Sequence, residues 1–473
     1  MLASLALLAA LNAANAAPVV APASDAIGDK LDRWLTAADF KGNVLVRKGG
    51  ATLLRKGYGI ADRDNGVAYD AGTVFSIGSI TKQFTAAAIL KLEMQGKLQV
   101  DDTIGKYFKD VPGDKQAITL HQLLTHTSGL ESDFAGDYDP VLRDDYVKRI
   151  FASTLRTRPG EAFHYANSGY SLLGAIVEIV SGVSYERYLR DNLFLPAGMR
   201  DTGYTLPTWP PARIAVGYRD GKRWGRITEK PWAKDGPYWA LRANGGIHST
   251  LDDMLRWHVA LSGDKVLSAS AREKMFRRHV AEGGGADTWY GYGWSIGASA
   301  WGGRLVEHNG GNGIFFADFL RYVDDDLVVI LSTNDSEVRG GQISHALGRL
   351  AHGEDVPVLK AVAAEAAKPL GTSGRDAVIR AWIEAFNATG LEAMHAFRAA
   401  HQAQRPGVDD AERDRRLTGM KTDMGRLDPE GIVEVDGDQV TIRAKCANGP
   451  VATLKFMFGD DGKVQGVGVQ LGN

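Results

Sequence analysis

Apolar and polar positions follow a strand period near the N-terminus and again near residue 330, with helical periods between them. Residues 40–61 hold two β-rich runs around Gly49 and Gly50, which predicts a hairpin. Helical patterns follow at 84–98, 120–124 and 169–181, and β-rich patterns return at 290–296, 315–322 and 327–333. Strands at both ends of this block enclose a helical middle. We therefore predict an α+β fold with one sheet made from strands that are distant in sequence.

A different pattern begins after Asn334. Residues 361–374 are rich in alanine, proline and glycine and predict a linker, which we place at residues 341–374. Beyond it, two amphipathic helical patterns precede four strand patterns at 432–435, 439–445, 451–458 and 464–471. This order predicts a small C-terminal α+β domain over residues 375–473. It resembles the cone-shaped nuclear-transport-factor-2-like domains.

The N-terminal segment has the pattern of a targeting signal. Residues 1–24 carry no charged side chain, and the apolar stretch at 2–11 is too short to span a bilayer. Ala14, Asn15 and Ala16 provide the small residues that a signal peptidase requires, so we predict a signal peptide over residues 1–16. The usual basic n-region is missing, and a disordered N-terminus of a cytoplasmic protein is the alternative. We expect a periplasmic or secreted protein.

Composition narrows the classes of function. Hydrophobic residues make up 44% and charged residues 24% of the chain, which is typical of a soluble globular protein. The 55 basic and 57 acidic residues nearly cancel, so no excess charge favours nucleic acid or anionic lipid. Cys446 is the only cysteine, which excludes an intramolecular disulfide and a cysteine-built zinc site. We expect a small-molecule or peptide substrate, no nucleic-acid partner, no stable membrane insertion after signal cleavage, and no metal or organic cofactor.

The candidate nucleophile is Ser79, which starts a helical run three residues before Lys82. This spacing brings the lysine amine beside the serine hydroxyl on one helix face. A lysine whose pKa is lowered by burial can take the serine proton, and a helix N-terminus favours developing negative charge. Taken alone the pattern is weak, because an N-capping serine and an exposed lysine also explain it.

Two further elements accompany Ser79 and Lys82. They are Tyr165-Ala166-Asn167 and His308-Asn309-Gly310, the latter followed by Gly311. Ser-x-x-Lys is the first of three elements in β-lactamases and penicillin-binding proteins, in which the later two face the same cleft. Over residues 25–340 the chain therefore resembles the class C β-lactamase and D-aminopeptidase-like serine hydrolases. Connecting signatures at 124–130, 245–250 and 290–294 support this resemblance.

The resemblance implies a fold and a role for each element. The fold is β-lactamase/transpeptidase-like, an antiparallel sheet flanked by helices with a helical subdomain. Ser79 is then the acylated nucleophile and Lys82 its base. Tyr165 carries the proton to the leaving group, as a phenol whose pKa is depressed by the charged lysine. Asn167 is expected to bind the substrate amide.

The third element departs from the Lys-Thr-Gly of many β-lactamases. His308 stands where those enzymes have lysine, and a histidine is neutral for much of the time near pH 7, so it holds a carboxylate less firmly. Relatives with His-x-Gly are more often esterases or peptidases that act on D-amino-acid substrates. The resemblance also implies an oxyanion hole from the backbone N–H groups of Ser79 and Gly311. Glycine at 310 and 311 would let this strand approach the substrate closely.

Three other groups of residues have two interpretations each. One group either roofs an apolar groove or pins a loop to the body: Trp209, Trp224, Trp232 and Trp239. A second group either attracts an amine-bearing substrate or, more simply, forms a solvated loop: Glu131, Asp133, Asp137 and Asp139. His121 and His126 have no third metal ligand nearby, and we expect structural roles for both.

We therefore predict a serine hydrolase that works through an acyl-enzyme intermediate on peptides or esters with D-amino-acid groups. It would act like a D-aminopeptidase or a D-Ala-D-Ala carboxypeptidase. A general carboxylesterase and a β-lactamase are the alternatives among enzymes. A catalytically silent protein that binds cell-wall peptides is the alternative of another class, although a silent relative would be expected to lose Ser79 or Lys82.

Overall fold

A computed structural model describes residues 23–219, 221–283, 287–335, 338, 340–358, 367–403, 410–447, 451–459 and 461–471. The predicted signal peptide at 1–16 lies outside these ranges. Within them, no helix combines the length and the apolar character that crossing a membrane requires.

The helices and strands follow one another along the chain. The helices are α1 (Ala23–Ala37), α2 (Thr81–Met94), α3 (Leu120–Leu124), α4 (Arg143–Ala152), α5 (Asn167–Ser181), α6 (Tyr185–Leu189), α7 (Leu195–Ala197), α8 (Leu251–Leu261), α9 (Ala269–Met275), α10 (Gly340–His352), α11 (Gly374–Asn387), α12 (Glu392–His401) and α13 (Asp410–Met424). The strands are β1 (Gly42–Lys48), β2 (Ala51–Tyr58), β3 (Ile60–Asp62), β4 (Val67–Ala68), β5 (Phe75–Ser76), β6 (Gly217–Arg219), β7 (Lys222–Gly225), β8 (His248–Ser249), β9 (Val280–Ala281), β10 (Trp289–Tyr290), β11 (Ser295–Ala298), β12 (Arg304–Gly311), β13 (Phe316–Tyr322), β14 (Leu327–Thr333), β15 (Leu427–Asp436), β16 (Gln439–Cys446), β17 (Val451–Phe458) and β18 (Val464–Leu471).

The larger sheet joins the two ends of the first block. Its strand order is β2-β1-β14-β13-β12-β11-β10-β9, and its neighbouring strands are antiparallel. β1 pairs with β14 in a register that sets Asn43 opposite Ser332. The prediction of one sheet from strands that are distant in sequence is therefore confirmed, and so is the hairpin around Gly49 and Gly50.

Both faces of this sheet are covered by helices. β14 is buried at every position, and its side chains alternate between two hydrophobic cores. Val328 and Ile330 belong to the core that contains α2, α5 and α8. Val329 and Leu331 belong to the core on the other face, with side chains of α1 and α10. The helical middle of the chain thus lies on one side of the sheet.

The predicted linker at residues 341–374 is wrong in its first part. Residues 340–352 form α10, whose Ile343, Leu347 and Leu350 pack against the sheet. The helix is amphipathic, but it begins with two glycines and follows the polar segment after β14, a pattern that is typical of the end of a domain. The hydrolase body therefore extends to about His352.

The predicted strand at 290–296 is also corrected. The structure has two short strands, β10 and β11, with a turn at 291–294 between them. Gly293 has a φ of +77°, and a side chain there would meet the backbone oxygen of Lys82 at 2.8 Å. The turn therefore exists because this glycine packs directly against helix α2.

The C-terminal elements form a separate core. Three helices, α11, α12 and α13, precede an antiparallel sheet in the order β15-β16-β17-β18. The last three strands lie where the sequence predicts them, and β15 begins five residues before the predicted strand at 432–435. Their buried side chains, from Leu370 to Val464, cluster with one another. Cys446 is buried in this cluster. The likeness to nuclear-transport-factor-2-like domains stays a prediction.

Candidate active site

Ser79 lies in a single helical turn, Gly78–Ile80, that leads from β5 into α2. Gly78 has a φ of +49°, which lets the chain turn sharply before the serine. α2 is buried along residues 81–90, so the helix runs through the core and holds its first turn in place. The hydroxyl of Thr81 accepts a hydrogen bond from the Ile247 backbone at 3.1 Å and fixes the turn further.

Lys82 contacts the candidate nucleophile. Its Nζ lies 3.1 Å from Ser79 Oγ and donates to the Asn244 backbone oxygen at 2.9 Å. The side chain is fully buried, and this burial lowers the pKa of Lys82 to about 7. The predicted spacing therefore does bring amine and hydroxyl together, and the amine is neutral in much of the population near pH 7.

Tyr165 stands over the same lysine. Lys82 Nζ lies 4.7 Å from the centre of the Tyr165 ring, and the centre of the His126 ring lies 4.3 Å from it. The residue is 36% exposed, so it lies at the mouth of the cleft. Removal from solvent nevertheless raises the pKa of Tyr165, and the hydrogen bond with Ser79 only partly offsets this effect. The predicted depression of the phenol pKa is therefore wrong in this state: the lysine is the group whose proton is easily lost.

His308 lies on β12 and is 7% exposed. Its Nδ1 lies 2.6 Å from the Asn309 backbone oxygen, which can only accept, so Nδ1 carries the proton. Its Nε2 then accepts from the Tyr290 hydroxyl at 3.0 Å. Burial and the nearby Lys82 lower the pKa of His308 to about 4. The ring is thus neutral with both nitrogens occupied, and a charged contact with a substrate carboxylate is not available to it.

The glycines of the third element lie against the turn that holds Ser79. A side chain at Gly310 would meet Ile77 O at 2.0 Å and Ser79 N at 2.5 Å, and one at Gly78 would meet Gly311 N at 2.6 Å. β12 and the nucleophile turn therefore touch backbone to backbone. This contact brings the backbone of Gly310 and Gly311 next to Gly78 and Ser79, and an oxyanion hole formed by the N–H groups of Ser79 and Gly311 stays a prediction.

Asn167 begins α5 and connects the site to an acidic loop. Its Nδ2 donates to Asp133 Oδ2 at 3.2 Å, while its buried Oδ1 has no hydrogen-bond partner among the described residues. Burial and the nearby Asp133 raise the pKa of Asp137 to about 6, and the lysine at 82 opposes this shift. Asp133 and Asp137 therefore interact electrostatically with Lys82 in the catalytic cleft and are not simply part of a solvated loop.

The loop is anchored to the end of β12. Asn312 Nδ2 donates to the Tyr138 hydroxyl at 3.2 Å, and the Tyr138 ring packs on Trp224 at 5.8 Å between centres. Trp209 and Trp239 are buried in two hydrophobic clusters of the body, and Trp224 and Trp232 are half-buried against hydrophobic clusters. The tryptophan-rich segment is therefore pinned to the body, which resolves the two interpretations left open by the sequence.

His126 has a structural role, as predicted, but the sequence did not indicate that it supports the Tyr165 segment. It is buried, and its Nδ1 accepts a hydrogen bond from the Ala166 backbone at 3.0 Å, next to Tyr165. Its ring also lies 4.7 Å from that of Tyr290, which bonds His308. The only available signal was that His126 and Tyr290 fall in the connecting segments 124–130 and 290–294. His121, as predicted, is structural and bonds the Tyr292 hydroxyl at 2.7 Å.

Known proteins that are similar to this chain identify its family. The Beta-lactamase family model matches residues 32–352. A putative penicillin-binding protein of Bacillus subtilis, PbpX, is 31% identical over 325 residues, which are 69% of this chain and 78% of that protein.

Solved structures show the same fold. A D-amino acid amidase from Ochrobactrum anthropi SV3 is 25% identical, with a TM-score of 0.56 over 66% of this chain and 90% of the other. The octameric penicillin-binding protein homologue from Pyrococcus abyssi has a TM-score of 0.61 at 23% identity. The matched region covers 92% of this chain and 96% of the Pyrococcus abyssi chain, so the likeness in fold reaches beyond the hydrolase body. The predicted β-lactamase/transpeptidase-like fold is confirmed, and the chain belongs to the beta-lactamase family of serine hydrolases.

Proposed function

We propose that the protein hydrolyses amides and esters of D-amino acids that carry a free α-ammonium group, through an acyl-enzyme on Ser79. The observation that carries the mechanism is the 3.1 Å contact between Ser79 Oγ and the buried amine of Lys82, whose pKa is lowered to about 7. A serine hydroxyl becomes nucleophilic when a neighbouring base takes its proton, and an amine with a pKa near ambient pH suits that task.

Acylation moves one proton through the site. Neutral Lys82 takes the Ser79 proton while Oγ attacks the substrate carbonyl. Tyr165, whose raised pKa keeps it protonated, then donates its own proton to the leaving amine or alcohol as the bond to the carbonyl carbon breaks. The charged lysine returns a proton to the phenolate. In the second half-reaction neutral Lys82 takes a proton from the water that attacks the ester. The bond between the acyl carbon and Ser79 Oγ then breaks, and the lysine returns the proton to Oγ as the acid leaves.

The negative charge of each tetrahedral intermediate needs hydrogen-bond donors. The backbone N–H groups of Ser79 and Gly311 supply them in this proposal, since β12 and the nucleophile turn lie in backbone contact. Removing one such donor in other enzymes costs roughly 100- to 1,000-fold in kcat. The close packing of Gly310 against Ser79 N keeps the two donors at a fixed separation.

Two features support an ammonium-bearing substrate. Asp133 lies close enough to Asp137 to raise the pKa of Asp137, and both carboxyl groups oppose the lowering of the Lys82 pKa. A substrate cation between the two aspartates would relieve their mutual repulsion. His308, by contrast, is neutral and engaged at both ring nitrogens, which disfavours substrates held by a free carboxylate, such as β-lactams. The preference for D-amino acids is supported by the 25% identity to a D-amino acid amidase.

A panel of matched substrates tests the proposal. The substrates are D-phenylalanine amide, its L-enantiomer, its N-acetylated form and nitrocefin. We expect the highest kcat/KM for the free D-amide and a fall of at least about tenfold on N-acetylation, which removes a charge-assisted contact. Equal rates on both enantiomers would remove the D-preference. Equal rates with and without the acetyl group would remove the ammonium requirement.

A further inference from the structure

A second cavity, far from Ser79, is lined by arginines. It has a volume of about 760 Å³, is open to solvent and lies between the end of α8, helix α9 and the start of β12. Apolar side chains of Leu261, Phe276 and Val306 form part of its wall. Its charged lining consists of five arginines and one glutamate: Arg272, Arg277, Arg278, Arg304, Arg321 and Glu273.

Arg321 is the buried member of this set. It lies on β13, opposite Val306 of β12, and is only 5% exposed. Its Nε donates to His258 Nδ1 at 3.2 Å and its Nη2 to Ser262 Oγ at 3.4 Å. Because burial lowers the pKa of His258 to about 3, both acceptors are neutral. Arg321 thus forms no ion pair with a carboxylate of the described residues.

The surroundings do not neutralise this cation. Asp326 is the acidic group that stabilises it, but the carboxylate of Asp326 also lies 3.8 Å from Arg47. Burial together with Arg304 and Arg272 lowers the pKa of Arg321 to about 10. The guanidinium also lies over two aromatic rings, 5.1 Å from the centre of Phe276 and 5.8 Å from that of Trp294. The rings and both hydrogen-bond acceptors are neutral, so the buried positive charge has no carboxylate of the described residues in contact with it and is surrounded by further arginines, an arrangement that favours binding of an anion.

The exposed arginines leave the cavity strongly positive. Arg277 pairs with Glu273 at 3.2 Å, and Arg272 pairs with Asp264 at 2.7 Å, outside the lining set. Arg304 donates to the Phe276 backbone oxygen at 2.6 Å and forms no ion pair with an acidic side chain in the part of the chain that the structure describes. Planar guanidinium groups match the oxygens of phosphate in a bidentate geometry.

We propose that this cavity binds a small soluble ligand that carries a phosphate ester or pyrophosphate group. The arginines would hold the phosphate oxygens, and the apolar wall of Leu261, Phe276 and Val306 would pack the organic part. Bound phosphate would also supply the counter-charge that Arg321 lacks.

This site is distinct from the active site. Arg304 begins β12, whereas His308 and Gly311 follow four and seven residues later on the same strand. At roughly 3.3 Å per residue they lie about 13 and 23 Å beyond Arg304, and Val306, the lining residue nearest to them on this strand, comes two residues before His308. The lining residues include none of the catalytic or substrate-binding residues named for the active site. The proposal therefore does not depend on the proposed function.

Calorimetric titration of the full chain with inorganic pyrophosphate, at about 150 mM salt to screen weak surface charge, tests the proposal. We expect saturable binding that weakens at least about tenfold in Arg304→Ala and in Arg278→Ala, two exposed positions where substitution leaves the fold intact. Arg187→Ala, an exposed arginine on α6, is the matched control and should bind like the wild type. Ser79→Ala should also bind normally, because the nucleophile is elsewhere.

Arg321→Met distinguishes a ligand site from a structural arginine. We expect it to abolish pyrophosphate binding while the variant remains folded by circular dichroism, because methionine fills the apolar space but cannot hold phosphate oxygens and only two neutral hydrogen bonds, to His258 and Ser262, are lost. Absence of saturable binding to the wild type would overturn the proposal. So would affinities in Arg304→Ala and Arg321→Met that equal the wild-type value.

Discussion

Burial decides the charge of each reactive side chain in the cleft. It lowers the pKa of Lys82 to about 7 and that of His308 to about 4, and it raises the pKa of Tyr165. His126, enclosed by aromatic rings, is also held neutral, because burial lowers its pKa well below the usual value. The cleft therefore contains one amine that can exchange a proton near pH 7, packed among neutral aromatic and imidazole rings and subject to the field of the acidic side chains of Asp133 and Asp137.

The pH dependence of acylation follows from Lys82. The second-order rate of Ser79 labelling by a fluorophosphonate, which does not itself titrate in this range, should rise about tenfold per pH unit below pH 7 and level off above it. The labelling rate increases with pH because only the neutral amine accepts the serine proton, and the amine becomes neutral as pH rises through its pKa of about 7. A rate that is flat from pH 5 to 8, or still rising at pH 10, would contradict this role.

Asp137 governs the response to substrate charge in this account. Asp137→Asn should raise KM for D-phenylalanine amide by about tenfold, since it removes a charged contact with the ammonium, and should leave KM for the N-acetylated amide unchanged. Asp139→Asn is the matched control, because Asp139 is an exposed member of the same loop that accepts from the Gly136 backbone. A KM that rises equally for both substrates would show that Asp137 only maintains the loop.

Residue spacing predicted the Ser79–Lys82 contact but not the protonation states. The contact is local, because residues three apart on a helix are neighbours. The pKa of Tyr165 depends on groups from several segments, including Ser79 and the distant Asp133 and Glu282. No local pattern encodes that environment. For the same reason the occupied nitrogens of His308, which depend on Tyr290, were not foreseen.

Two elements, β12 and the turn before α2, fix the separation of the proposed oxyanion donors. Because they touch backbone to backbone, Gly310→Ala must push the strand away from Ser79 N. We expect kcat to fall by about 100-fold or more, as for loss of one oxyanion donor, with the protein still folded by circular dichroism.

Gly303→Ala provides the control for this substitution. Gly303 precedes the same strand, and a side chain there meets its neighbours at no less than 3.5 Å, an ordinary contact. Its kcat should equal that of the wild type. Wild-type activity in Gly310→Ala would show that the close approach of β12 does not matter for catalysis.

Elements with a sustained apolar pattern were predictable from sequence, and those defined by tertiary contact were not. α3 and β14 begin and end where the pattern placed them, and α5 begins only two residues earlier. α10 is not predictable from the local pattern, because it begins with two glycines and its apolar face is stabilised by packing on the sheet. The turn between β10 and β11 was missed because its cause, the packing of Gly293 on α2, lies about 200 residues away in sequence.

At the scale of the whole molecule, the hydrolase body and the C-terminal elements have separate hydrophobic cores. The core from Leu370 to Val464 contains no residue of the body, and the catalytic residues lie within 79–311. A chain that ends at residue 374 should therefore elute as a soluble monomer in size-exclusion chromatography. Its Ser79 should be labelled by fluorophosphonate at the wild-type rate. Aggregation of this shortened chain, or loss of its labelling, would show that the body needs the C-terminal elements.

The central claim is that Ser79 carries the acyl group during turnover. Acid quenching of the enzyme during hydrolysis of a D-phenylalanine ester, followed by intact-mass and peptide mass spectrometry, measures this directly. We expect one D-phenylalanyl adduct per chain on the peptide that contains Ser79, and neither adduct nor turnover in Ser79→Ala. Turnover by the wild type with Ser79 unmodified, or turnover by Ser79→Ala at the wild-type rate, would contradict the account.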